Sequence, residues 1–361
     1  MQTFESVIAI LFGAVGLTAL ARRVGAPYPA FLALGGAALS LVPGAPAWTL
    51  DPHLALALLV APVLLDAAYD TSLRDLRENA LPIGCLVVVV VGLTTAAVAV
   101  VAHTLVPSMP WSVAVALGAI VAPSDAAAAA AVLRQAGLPQ RLLTILEGES
   151  LLNDASALLI YRVAVAAAVD GAFSLTGSLP TIALAVVGSV VAGLVLPWPV
   201  VALIRRIRDV PSAIITQFVS TFAVWLLAER IGLSAILTIV VYAITLARYT
   251  IALTPARMRV PSYAVWDTVV FLLNVLAFVM IGLQIGPLWA QLPASARAGH
   301  AAVAAAVLAT VVGVRIAWCM SYNAVLRRHV RRHGFDPPRP TLRPSAQGGF
   351  VLAWCGMRGI V

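Results

Sequence analysis

The run Glu147-Gly-Glu-Ser-Leu-Leu-Asn-Asp154 places three carboxylates and an amide between stretches that are almost wholly apolar. A carboxylate at bilayer mid-depth costs roughly 2.5–3.5 kcal/mol on insertion scales, so a cluster of them calls for a compensating ion, proton or arginine. On a helix, the spacing i, i+3, i+7 puts Glu147, Ser150 and Asp154 on one face, with Asn153 beside them and Glu149 turned aside by about 100° per residue. A carboxylate, a hydroxyl and a second carboxylate on one face suit an ion or proton site. Glu147 is expected near the interface, and Asp154 a turn or two deeper.

Two other stretches carry matching chemistry. In Ala122-Pro123-Ser124-Asp125-Ala126, Pro123 lacks an N–H and clashes with the preceding turn, so a helix must kink or open there. The freed carbonyls would then lie beside the hydroxyl of Ser124 and the carboxylate of Asp125, oxygen donors of the kind a hard cation takes. Irregular backbone at membrane depth is tolerated where protein or a water-filled cavity surrounds it. Near the end of the chain, Gly356-Met357-Arg358-Gly359 sets an arginine between glycines, which suits a close helix crossing and a carboxylate partner. Asp66, in Leu64-Leu65-Asp66-Ala67-Ala68, is expected near a span end as an interfacial cap or packing contact, and Arg162 and Arg315 as partly buried partners or snorkelling anchors.

The elements that must position these groups are set by composition. Of 361 residues, 61% are hydrophobic and 11% charged, against about 25% charged in soluble domains, and the mean hydropathy is +1.00. That describes an all-α polytopic membrane protein, because a bilayer asks for about 20 apolar residues per helical span and the chain supplies such runs repeatedly. Breaking at Pro, Gly and charge clusters predicts apolar segments near 4–21, 28–43, 53–69, 81–106, 111–133, 142–169, 179–204, 212–228, 232–253, 264–290 and 298–322. A twelfth starts near Gln347 and stops at Val361, giving eleven complete spans plus part of a twelfth. The first run has no basic leader and no small-residue cleavage site after it, so it is expected to be a span.

All 23 basic residues are arginine, and the net charge is +8. Eighteen of them fall in loops after odd-numbered spans, which places those loops in the cytoplasm and the N-terminus outside. They form no continuous basic face with interleaved aromatics, which argues against nucleic acid. Cys85, Cys319 and Cys355 lie in apolar runs without metal-ligand spacing. The five histidines sit at span ends or in loops, which argues against a histidine metal site and leaves Ser150 without a base for hydrolysis. The chain is therefore expected not to be an enzyme and to need no cofactor.

At these residues the chain resembles the monovalent cation/proton antiporter family, the sodium/proton exchangers of the NhaP and NHE type. Gly-Glu-Ser-Leu-Leu-Asn-Asp at 148–154 is similar to that family's sixth-span signature, Pro-Ser-Asp at 123–125 to its broken fifth helix, and Gly-Met-Arg-Gly at 356–359 to the arginine motif of its twelfth. Leu64–Ala68 and Leu76-Arg77-Glu78-Asn79 also look familial. Two departures are that Ser124 stands for the usual Thr and Ala126 for the usual Pro. The resemblance implies an inverted-repeat antiporter fold of thirteen spans with broken fifth and twelfth helices. Residues 1–361 would then form a single transmembrane antiporter domain, C-terminally incomplete.

The same resemblance implies residue roles. Asp154 would bind cation and proton alternately, with Ser124, Asp125, Glu149 and Ser150 completing or orienting the ion shell. Na⁺ would lie at Asp154, Asp125, Ser124 and Ser150. Asn153 would fill the position that is a second Asp in electrogenic relatives, and Arg358 would balance a buried carboxylate. The implied activity is electroneutral exchange of a monovalent cation, Na⁺ first, for H⁺ by alternating access. The protein would be a multi-pass homodimer of the cell (inner) membrane, with lipid, cations and protons as partners. The alternatives are a K⁺/H⁺ exchanger, a cation channel or an inactive truncated product.

Overall fold

The computed structural model describes residues 2–42, 51–124, 139–170, 175–334 and 344–354. The described residues fold into helices: α1 (Gln2–Val24), α2 (Tyr28–Ser40), α3 (Pro52–Tyr69), α4 (Leu73–Glu78), α5 (Ala80–Leu105), α6 (Trp111–Val121), α7 (Gln140–Asp170), α8 (Leu175–Val195), α9 (Pro197–Ile204), α10 (Val210–Arg230), α11 (Ala235–Leu253), α12 (Ala256–Leu283), α13 (Ile285–Gln291), α14 (Ala294–His333) and α15 (Ala346–Trp354). α3 and α5 each contain a π-turn, at Leu56–Val60 and Cys85–Val90. Each apolar segment expected from the sequence contains helix.

Among the described residues, seven stretches are long and apolar enough to cross a membrane, namely Pro52–Tyr69, Ala80–Leu105, Gln140–Val169, Ile182–Ile204, Val210–Arg230, Ala256–Gln291 and Ala294–His333. Shorter apolar helices lie at Tyr28–Ser40, Trp111–Val121 and Ala235–Thr250. The outer faces are greasy: Phe12, Leu34, Leu81, Leu184 and Val260 are all more than 60% exposed, which suits hydrocarbon rather than water.

Local chemistry marks the helix ends. Asp51 caps α3 by accepting from the amides of His53 and Leu54 at 2.9 and 3.2 Å, and Asp209 caps α10 through the amide of Ser212 at 2.9 Å. α10 stops at Gly232, whose φ of +76° belongs to the left-handed region that glycine enters without penalty. α14 runs eleven residues beyond the expected end at 322. Arg and His sustain the helix through Arg327–Arg332, and it ends before Gly334, at φ +82°.

The chain divides into two compact units. One comprises residues up to Thr71 together with Leu179–Ala294. Its core includes Ile10, Ala14, Leu32, Val275, Phe278, Val279 and Leu283, where α2 packs along α12. Tyr242 and Trp225 are fully buried, and the Tyr242 hydroxyl donates to Ser220 Oγ at 3.1 Å. The other unit comprises Ser72–Ser178 and the described residues from Ser295 on, with a core of Ile83, Leu86, Val87, Val90, Ile145, Cys319 and Ala353.

Close backbone approach holds α2 to α12. A methyl group added at Gly282 would strike the Ala33 carbonyl and come within 2.7 Å of the Ala37 amide, and one added at Gly36 would strike the Val279 carbonyl. Lipid supplies no hydrophobic drive between helices, so small residues that let backbones meet carry the association. Gly282→Val is therefore expected to destabilise the protein by about 1–3 kcal/mol through overpacking. Gly299→Ala, where the added methyl meets nothing, should be neutral or stabilise by up to about 1 kcal/mol. Thermal melting in detergent checks the pair, and equal melting temperatures would refute this packing argument.

Candidate functional site

The site grows from one turn of α7. Glu149 and Asn153, spaced i and i+4, are its buried polar residues at 2% and 0% exposure, while Glu147, Ser150 and Asp154 are half-buried. The face expected to hold Glu147, Ser150 and Asp154 is thus not the most buried one. The helix is rotated so that Glu149 enters the interior, and the physical reason is Arg315 on α14, itself 2% exposed.

Arg315 and Glu149 form a two-pronged ion pair. Nη1 donates to Oε1, and Nη2 donates to Oε2 at 2.9 Å. The guanidinium also donates from Nη1 to Ser124 Oγ at 3.2 Å, from Nη2 to the Leu352 carbonyl at 3.3 Å, and from Nε to the Ala353 carbonyl at 3.2 Å. Removing two ions from water costs several kcal/mol each, and only near-complete hydrogen bonding offsets that. Here the rigid fork of Arg satisfies carboxylate, hydroxyl and backbone together, which a lysine ammonium could not do.

Ser124 lies just past the end of α6, where the helix stops at Val121 ahead of Pro123, as expected of that proline. Its hydroxyl donates to Glu149 Oε1 at 2.6 Å and accepts from Arg315 and from Asn153 Nδ2, the latter at 3.2 Å. Asn153 Nδ2 also donates to the Ser124 carbonyl at 2.8 Å, a backbone oxygen freed where the helix ends. Asn153 Oδ1 is buried and has no hydrogen-bond partner among the described residues. Its lone pairs are available to a cation or a water, and the leading donor is a neutral oxygen of the type hard cations take.

The start of α7 is pinned separately. Arg141 Nε donates to Asn79 Oδ1 at 3.0 Å, and Asn79 Nδ2 donates to the Asp75 carbonyl at 2.9 Å. Gly148, between the two glutamates, lets α7 lie close to its neighbours: a methyl there would come within 2.7 Å of Ile83 and Leu76.

The structure therefore gathers Ser124, Glu149 and Asn153 and leaves Ser150 and Asp154 on flanking positions of α7. Asp125 and Arg358 lie outside the described residues. Arg315 takes the role of counter-charge to Glu149, a choice between partner and anchor that the sequence leaves open. One signal for it is present in the sequence: Arg315 lies inside the apolar run Val303–Met320, where an unpaired guanidinium would be very costly.

Comparison with known proteins gives a consistent result. A family profile described as sodium/hydrogen exchanger, transmembrane, matches residues 7–361. A "Sodium, potassium, lithium and rubidium/H(+) antiporter" of Bacillus pumilus is 29% identical over 328 residues, covering 87% of this chain and 47% of the relative. An "Uncharacterized Na(+)/H(+) exchanger" of Mycobacterium tuberculosis is 31% identical over 363 residues, covering 98% and 65%. The chain thus spans about half to two thirds of the length of these curated relatives. Among solved structures, the sodium proton antiporter MjNhaP1 from Methanocaldococcus jannaschii at pH 8 aligns with a TM-score of 0.72 at 16% identity. That alignment covers 100% of this chain and 84% of the other, and it shows a common fold.

The ion pair generates a stability prediction. Arg315→Met leaves Glu149 buried and uncompensated and is expected to cost about 3–5 kcal/mol. Arg315→Met combined with Glu149→Leu should recover most of that loss, because the pair's value lies in mutual compensation. Melting of the single and double variants in detergent tests this, and a double variant no more stable than the single would overturn it.

Proposed function

Because the chain belongs to the sodium/hydrogen exchanger family, we propose that it exchanges a monovalent cation, Na⁺ first, for H⁺ by alternating access and in an electroneutral cycle. One observation supports this reading: Arg315 and Ser124 tie Glu149 into a buried set of hydrogen bonds, which suits it to orient the site, and the exchanging part is assigned to Asp154, five residues further along α7, as the likeness of the 148–154 motif to the family's implies. Burial raises a carboxylate's affinity for protons and a nearby cation lowers it, so one group can hold either in turn. If only the charge-compensated site crosses the apolar barrier, the two fluxes are coupled without ATP.

In this reading Na⁺ is held by Asp154, Asp125, Ser124 and Ser150, with Glu149 and Asn153 orienting the shell. Ser124 is well suited to the part because its backbone and hydroxyl are both fixed by Asn153. Arg358 supplies a further counter-charge. Asn153 cannot titrate, so the site holds a single exchanging carboxylate and the stoichiometry is one for one. The chain would cross the cell membrane in eleven complete spans plus part of a twelfth, with the N-terminus outside, and pair as a homodimer. K⁺ is the runner-up cation, since the name of the Bacillus pumilus relative includes potassium, lithium and rubidium.

Proteoliposomes containing the full chain test the proposal. Cation-induced proton movement is expected in the parent and should vanish in Asp154→Asn, while Asp154→Glu should retain part of it at a shifted pH optimum. Clamping the membrane potential with valinomycin and K⁺ should leave the Na⁺-driven rate unchanged. Exchange by Asp154→Asn at the parental rate would remove Asp154 from its role, and a voltage-dependent rate would rule out the electroneutral cycle.

A further inference from the structure

In the unit that comprises residues up to Thr71 and Leu179–Ala294, five helix ends meet around a small cavity of about 50 Å³. Asp66 and Tyr69 come from the last turns of α3, Ile204 from the end of α9, Ala213 from the first turn of α10, Thr254 from just past α11, and Arg259 from the first turn of α12. Arg205, Arg206, Arg208 and Arg257 flank these ends in sequence, so the arginine distribution puts this side in the cytoplasm and the cavity at headgroup depth.

The wall carries both signs of charge, the Asp66 carboxylate and the Arg259 guanidinium. Asp70 and Asp267 lie close enough to Asp66 to add to the negative field around it. Gln217 is locked: its Oε1 accepts from Trp266 Nε1 at 2.7 Å and from Ser262 Oγ at 3.0 Å, which fixes the side-chain amide in the cavity wall. The rings are fixed as well. Trp266 stacks on Phe218 at 4.1 Å, and the Tyr69 hydroxyl bonds Thr250 Oγ1 at 2.7 Å. Tyr and Trp at this depth are characteristic of the membrane–water boundary.

We propose that this cavity binds the headgroup of a phospholipid carrying a primary ammonium. The phosphodiester is held by Arg259 and the Gln217 amide, and the ammonium by Asp66 beside Tyr69 and Tyr263. Arginine recognises phosphate oxygens with a planar pair of donors, and a carboxylate recognises an ammonium that has N–H groups to give. A quaternary choline has no N–H to give Asp66. An anionic headgroup without an amine would set its charge against Asp66, Asp70 and Asp267. Leu203, Ile215, Val219 and Val260, neighbours of the lining residues in sequence, are 51–67% exposed and offer the acyl chains an apolar path.

The inference stands apart from ion exchange, and its test reads no transport. The purified full chain, stripped of lipid in detergent, would be offered equal amounts of phosphatidylethanolamine, phosphatidylcholine and phosphatidylglycerol, and retained lipid counted by native mass spectrometry. The expected result is one phosphatidylethanolamine per chain, preferred about tenfold over the other two, which corresponds to roughly 1.4 kcal/mol. Arg259→Gln should weaken retention of all three lipids, and Asp66→Asn should erase the preference for phosphatidylethanolamine over phosphatidylglycerol. If Asp66→Asn does not elute as a folded species, Asp267→Asn, exposed on α12, should narrow the preference by weakening the same field. Equal retention of the three lipids by the parent, undiminished retention by Arg259→Gln, or an unchanged preference in the Asp66→Asn and Asp267→Asn variants, would overturn the proposal. Soluble glycerophosphoethanolamine binding as tightly as the lipid would overturn the lipid assignment in favour of a free headgroup compound.

Discussion

A guanidinium cannot sit in a hydrocarbon-like interior unless its charge and all its donors are met, and that constraint on Arg315 organises the unit around it. The residue reaches Glu149 on α7, Ser124 beyond α6 and two carbonyls of α15, so four segments share one set of hydrogen bonds. Each segment is fixed by a bond that another also needs, since Ser124 meets both Arg315 and Glu149 and is held again by Asn153. Such a knot contributes little net stability, because desolvation consumes most of the Coulombic gain. Its value is positional: any shift of α7 along its axis leaves a charge unpaired at a cost of several kcal/mol.

Backbone contact between helices serves the same end where no charges are present. Gly118 on α6 lies against the Thr95 carbonyl of α5, and Gly193 of α8 against Val241 and the Thr238 carbonyl of α11. These crossings need no side chain and tolerate none, in keeping with association in a medium that does not squeeze apolar surfaces together. The two devices divide the work. Glycine crossings set how closely helices approach, and the polar knot sets the rotation and register of α7 among its neighbours.

The sequence reveals the helices far better than their partners. Each apolar run ends at a proline, glycine or arginine cluster whose local effect is strong, so the positions of Pro123, Gly232 and Asp209 suffice to bound elements within a few residues. The partnership between Arg315 and Glu149 spans 166 residues and leaves no local trace. A helical wheel ranks the faces of α7 by their acidic groups, and by that measure Glu147 with Asp154 outweighs Glu149. The face that turns inward is decided instead by the cation waiting there. The spacing puts Asn153 beside the site, but its tie to the Ser124 carbonyl depends on where α6 breaks, which is settled by the fold rather than by local spacing. The same limit governs α14, where a run of arginines reads as a loop by its charge although nothing in it opposes helix.

Polar side chains in the apolar helices sort by how far their bonds reach. Thr18, Thr238, Thr245 and Thr310 each return a hydroxyl hydrogen to the carbonyl four residues earlier, so they are satisfied locally. A hydroxyl spent in this way needs no ligand and specifies none. Ser124, Glu149, Asn153 and Arg315 bond across segments, and Gln217 likewise gives its carbonyl to two residues of another helix. Long-range bonds of this kind leave atoms over when geometry cannot use them all, and the remainder is directional. Asn153 Oδ1 has no hydrogen-bond partner among the described residues, whereas the Gln217 amide lines the same cavity wall as Arg259. A buried acceptor favours a cation or a water, and an amide in one wall with a guanidinium favours an anionic oxygen. The two units therefore offer opposite chemistry, a buried acceptor beside Ser124 in one and a guanidinium beside the Gln217 amide in the other.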